Sequence, residues 1–121
     1  MIRSNIVLSG VIATALILGV VTLARAADMA AAKQNYETFC VKCHGTAGKG
    51  DGPAAATLST HPRDYTDCAK MAQESDDKLF NVIKNGGKAN GLSADMQAWS
   101  SGFSDDEIHD LVAYVRTFCK K

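Results

Sequence analysis

The stretch YETFCVKCHGTAGKGDGP, Tyr36 to Pro53, decides how this chain is read. Two cysteines, Cys40 and Cys43, stand three positions apart, and His44 follows the second directly. Three chemistries use a Cys-x-x-Cys pair. A thioredoxin-like redox pair belongs after a strand in a βαβ context, whereas the residues before Cys40 are Ala-rich and helical in pattern. A zinc site requires further ligands at suitable spacing, and no second Cys-x-x-Cys or histidine pair follows. Covalent haem attachment uses Cys-x-x-Cys-His as it stands. On a helix the two sulfurs lie one turn apart and reach two vinyl groups on one edge of a porphyrin. His44 then falls beneath the iron as an axial ligand.

Working outward, the N-terminus supports the haem reading. MIRSNIVLSGVIATALILGVVTLARA carries a cation at Arg3, an apolar run from Ile6 to Ala24, and the small-x-small triplet Ala24-Arg25-Ala26. It reads as an export signal over residues 1–26 with cleavage after Ala26. The run is also long enough to be kept as a membrane anchor. Either way the domain, residues 27–121, lies outside the cytoplasm, where disulfides persist. So short a chain builds a modest core and usually needs a disulfide, metal or cofactor to support it. Lysine plus arginine and aspartate plus glutamate number 13 each. Removing Arg3 and Arg25 leaves a slight acidic excess, and no basic run exceeds Lys120-Lys121, so nucleic acid is not an expected partner.

The remaining pattern is all-α. Asp28 can cap a first helix, along which Ala32, Tyr36, Phe39 and Cys43 share a face at helical spacing. Gly45 to Asp67 is loop chemistry, with room for a short helix over Ala54–Leu58. Ser75, Asp76 and Asp77 start a helix with Leu79, Phe80 and Ile83 on its apolar face, and Asn85-Gly86-Gly87 ends it. A long loop follows, of the kind that often carries function. Ser104 and Glu107 fit a capping box for the last helix. Its stripe is Ile108, Leu111, Val112, Val115 and Phe118, and basic Arg116, Lys120 and Lys121 suit its C-terminal end.

From Tyr36 onward the chain resembles a single-haem class I cytochrome c of the bacterial kind with a GDGP loop. The matching pieces are FCVKCHG, GKGDGPAA, PRDYTD, LFNVIKNGG, MQAW and SDDEIHDLVAYVR, in family order. The resemblance implies three to five helices wrapped around one covalent haem c. Candidates for the second axial ligand are Met71, Met96, His61 and His109. The resemblance selects Met96, a loop methionine followed by Trp99, although Gln97 stands where the family usually has proline. Met71 reads as packing, and His61 and His109 as surface residues. The resemblance also implies that the Pro53 carbonyl accepts the His44 ring N–H. It further implies that Arg63, Tyr65 and Trp99 face the haem propionates, with a solvated loop cation the alternative for Arg63. It has the first and last helices cross through Ala32, Tyr36, Leu111 and Val115.

Cys68 and Cys119 are left as an even remainder, which invites a disulfide; two buried thiols are the alternative. The function expected is a periplasmic, monomeric electron carrier with His44 and Met96 as iron ligands, passing electrons to redox protein partners. Lys42, Lys49, Lys84 and Lys88 are available to rim the haem edge, although solvated lysines are the plainer reading. A membrane is involved only if the N-terminal segment stays. The alternatives are a haem subunit of a larger dehydrogenase or oxidase, and a haem enzyme whose sixth position opens.

Overall fold

A computed structural model describes residues 24–119. The apolar segment before Ala24 and the pair Lys120-Lys121 lie outside the described residues. Five α-helices carry the fold: α1 (Met29–Asn35), α2 (Val41–His44), α3 (Cys68–Met71), α4 (Asp76–Ala89) and α5 (Asp105–Arg116). Among the described residues there are no strands, as expected for the all-α class.

The helix starts follow local chemistry. Asp28 accepts from the Ala31 N–H, Asp67 from Lys70 and Ser75 from Lys78. Ser104 and Glu107 close a full capping box on α5. Each cap satisfies amide donors that the first helical turn leaves free, at about 1 kcal/mol apiece.

The core lies where α1 crosses α5 and α4 packs against α5. Ala32, Tyr36 and Leu111 are 1% exposed and Val115 3%, so the expected crossing is present. Tyr36 packs on Tyr114 and Phe118, with ring centroids 5.3 Å away in each case. Its hydroxyl donates to the Gly45 carbonyl at 2.8 Å, so the crossing also holds the segment just after His44.

The expected face of the first helix is corrected at Phe39, which is 45% exposed. A π-turn over Tyr36–Cys40 follows α1, and the Val41 N–H reaches the Tyr36 carbonyl five residues back. The wider turn puts Cys40, rather than Phe39, against the core beside Tyr36.

Arg116 does more than complement the end of its own helix. It donates to the carbonyls of Met71 (2.6 Å) and Glu74, and to Asp76 at 2.8 Å. It thereby fastens the α3–α4 corner to α5. Nearby, Cys68 and Cys119 form a disulfide, Cα atoms 5.3 Å apart. Closing a loop of 51 residues contributes about 4 kcal/mol in the chain-entropy model. Alkylating the denatured protein without reductant is expected to leave both sulfurs unlabelled. Uptake of label at Cys68 and Cys119 would remove this contribution.

Candidate functional site

The turns after α2 are built to hold it. The α2 C-terminus leaves carbonyls without helical partners. The Gly-rich loop supplies donors to them: Gly50 N–H to His44 O at 2.8 Å, Gly52 N–H to Cys43 O at 3.1 Å, and Ala54 N–H to Lys42 O at 2.9 Å. A Cβ at Gly52 would run into the carbonyls of Val41 and Lys42, so only glycine lets the loop come this close. The GDGP segment therefore serves as the external cap of the Cys-x-x-Cys-His helix.

His44 is buried at 8% exposure. Its Nδ1 lies 3.2 Å from the carbonyl of Arg63, which corrects the expected partner, Pro53. Pro53 sits on the exposed outside of the capping turn, whereas the chain at Arg63 is brought in by the Tyr65 N–H bonding Gly48 O at 2.7 Å. A carbonyl only accepts, so Nδ1 carries the proton and Nε2 keeps its lone pair. Tyr65 stacks on the imidazole, centroids 4.7 Å apart, with its hydroxyl 3.4 Å from Nε2. Burial pushes the His44 pKa down, partly offset by the bond to Arg63, which favours the neutral imidazole. Burial, reinforced by Cys43, pushes the Cys40 thiol up to about 11. Reactive redox pairs need a lowered thiol pKa, and this environment does the opposite.

Two adjoining cavities, of about 490 and about 400 Å³, share Cys43, His44, Tyr65, Ile83 and Met96 as walls. Cys40 lines the second. Both volumes lie in the usual range of cofactor sites, about 300–1,000 Å³. Two free thiols, an unprotonated imidazole nitrogen and mostly apolar walls fit a flat apolar ring bound through sulfur, with its metal on His44.

Met96 is held by a device the sequence reading did not identify. Helix α4 is broken at Gly86, where φ is 80°, a left-handed conformation that suits glycine. The break frees the carbonyls of Ile83 and Lys84, and the loop takes them: Trp99 N–H bonds Ile83 O at 3.0 Å and Ser100 N–H bonds Lys84 O at 3.1 Å. The Gly87 N–H donates to Met96 O at 2.8 Å, and a Cβ at Gly87 would run into the Ser93 carbonyl. From the other side Asp95 accepts from the Ser59 N–H (3.0 Å) and hydroxyl (2.6 Å). These bonds take over the stiffening that a proline at Gln97 would supply. The Gly86-Gly87 pair was visible in the sequence as a helix end; its second use as the seat of the methionine loop was not.

The other candidates separate clearly. Met71 is 1% exposed, belongs to the core and lines neither cavity. His61 is exposed at the edge of the first cavity, with Nδ1 2.9 Å from the carbonyl of Pro62. His109 is exposed and stacks on Phe80. Arg63 lines the first cavity while pairing with Glu74 at 2.7 Å, Trp99 lines the second, and Tyr65 lines both. Lys70 and Lys78 stand at the first cavity, and Lys42 at the second. Lys84 is instead paired with Asp105 at 2.7 Å.

The profile of the family described as cytochrome c oxidase, cbb3-type, subunit III matches residues 27–115. The chain is 34% identical to cytochrome c-554(548) of Halomonas halodenitrificans over 89 residues, covering 74% of this chain and 94% of that one. It is 32% identical to cytochrome c-554(547) of Halothiobacillus neapolitanus over 94 residues, covering 76% and 98%. Among solved structures, the c-type cytochrome KustC0563 superposes with a TM-score of 0.60 at 24% identity, covering 72% of this chain and 95% of that one. A chain of the Kuenenia stuttgartiensis reducing HAO-like protein complex Kustc0457/Kustc0458 superposes with a TM-score of 0.60 at 28% identity. That match covers 74% of this chain and 43% of the other.

Proposed function

Since the chain belongs to the cytochrome c family described as cbb3-type oxidase subunit III, we propose that it is an exported, diffusing one-electron carrier whose iron is held by His44 and Met96. Electron transfer through covalent haem c is the chemistry of this family. The bound haem supplies an iron that passes between the ferrous and ferric states. The residues of the chain do the rest. Cys40 and Cys43 would hold the ring edge as thioethers, His44 would present Nε2 with its tautomer fixed by the Arg63 carbonyl, and Met96 would offer a thioether from a braced loop. The apolar walls keep water from the iron.

The observation that carries this reading is that His44 and Met96 line the same pair of adjoining cavities, while Met71 and His109 do not. With Met96 on the iron the sixth position would be filled, which favours a carrier over an enzyme acting on an iron-bound substrate. Three large apolar side chains among the described residues are more than a third exposed, and two of them, Phe39 and Leu92, line the cavities. That leaves little greasy surface for permanent assembly. No helix among the described residues is long and apolar enough to cross a membrane. The apolar run at the N-terminus is read as an export signal, or as a membrane anchor where it is kept, and the haem domain follows it.

The test uses the ferrous wild-type protein at neutral pH. Carbon monoxide is expected to leave its spectrum unchanged, and the ferric form is expected to show a weak far-red sulfur–iron band. Ready binding of carbon monoxide would mean an open site and would replace the carrier with a gas- or peroxide-binding protein. Fractionated periplasm is expected to yield the haem signal at low mass. Elution only within a large complex would make the chain a dedicated subunit.

A further inference from the structure

Asp110 has no part in the site above, yet it is 3% exposed and is, with His44, one of two buried polar residues among those described. It lies on α5 among Ile108, Leu111 and Val112, where an isolated carboxylate is unfavourable unless paired. Its partner comes from 85 positions earlier. Arg25 Nη1 donates to Oδ1 and Nη2 to Oδ2, each at 2.7 Å. This two-pronged fork is the geometry guanidinium and carboxylate favour. Asp106, one helical turn away, stands 3.8 Å from Arg25 Nε. The guanidinium holds the Asp110 carboxyl below its usual range, against the opposing effect of burial. Arg25 itself is about half exposed, so the buried member of the pair is the one that depends on the contact.

Arg25 sits inside the triplet Ala24-Arg25-Ala26 that marks a cut after Ala26. Such a cut would discard the guanidinium, break both prongs of the pair that ties the start of the chain to α5, and leave Asp110 beside the like charge of Asp106 one helical turn away. A second small-x-small triplet, Thr22-Leu23-Ala24, lies two residues earlier and fits the same cleavage chemistry. We propose that Arg25 remains in the mature protein, where it clasps the start of the chain onto α5 through Asp110. Processing of the apolar segment therefore falls before Arg25 and not after Ala26. The clasp lies where α1 begins, so it holds α1 against the helix it crosses.

The haem-loaded protein, purified after export, is weighed intact and its N-terminus sequenced. A mature chain beginning at or before Arg25 is expected, including one that keeps the whole leading segment. A chain beginning at Ala26 or later overturns the proposal. Thermal unfolding of the wild type, Arg25→Gln, Asp110→Asn and the double variant gives an independent reading. Each single change is expected to lower Tm by about 5 °C or more, with the double variant no worse than the worse single. An Arg25→Gln protein with unchanged Tm, or additive losses, would also overturn it. Arg25 lines neither cavity, so the carbon monoxide test is unaffected by the result, and the clasp and the carrier function fail separately.

Discussion

The double variant Cys40→Ser, Cys43→Ser is expected to emerge as an unattached, largely unfolded polypeptide. After acid denaturation its mass should equal that of the bare chain, whereas the wild type should carry the mass of one haem. The reason for unfolding is volumetric. The apolar side chains of α4 and α5 divide between the packed core and the walls of the two cavities. Ile83 and Val115 belong to both. Emptying a core site costs about 3–5 kcal/mol even for a single aromatic side chain, and the cavity of about 490 Å³ is larger than one such side chain. Water entering from the open side reduces that cost without restoring the lost contacts. The whole stability of a small domain is about 5–15 kcal/mol, so the ring is a large part of what holds the helices together. A folded, cooperative far-UV thermal transition in the double variant, equal to that of the wild type, would show that the helices need no ring.

What the sequence made readable was local. The caps at Asp28, Ser75 and Ser104 rest on contacts within three residues, and the structure has all three. The Cys40-x-x-Cys43-His44 motif is likewise a contact between neighbours. The stripe on α5 follows from helical period alone, since the period fixes which residues face inward. What escaped depends on contacts distant in sequence or on small departures from regular geometry. A single π-turn moved Phe39 off the predicted face, and periodicity assumes an unbroken turn. The His44 partner moved from Pro53 to Arg63 because backbone pairing between Gly48 and Tyr65 decides which carbonyl comes near. In the period of α5, Asp110 is one more polar position on an amphipathic helix. Its burial follows from Arg25, in a segment that the sequence marked for removal.

Met96→Ala is expected to keep the covalent haem and lose the features on which the carrier reading rests. The side chain lines both cavities, so its removal gives water or an added ligand access to the sixth position. Ferrous protein should then bind carbon monoxide, and the far-red band of the ferric form should vanish. The potential should fall, because thioether sulfur favours the ferrous ion. Axial ligands shift haem potentials over about 0.8 V, so a drop on the order of 100 mV or more is expected. Met71→Ala is the control. It removes a core side chain that lines neither cavity, so it should cost about 2–5 kcal/mol of stability and leave the band and the carbon monoxide response unchanged. Gly87→Ala provides the third comparison, because the methionine is present but its seat is spoiled. The added methyl meets the Ser93 carbonyl and crowds Met96 Cβ at 3.2 Å, so the loop must lift from α4. Partial loss of the band with partial carbon monoxide binding is the expected result, lying between the wild type and Met96→Ala. If Met96→Ala kept the band while Met71→Ala lost it, the iron would be held by Met71 instead. The hydrogen bonds that the loop accepts from the Gly87 N–H and donates to the Ile83 and Lys84 carbonyls would then have no part in setting the potential.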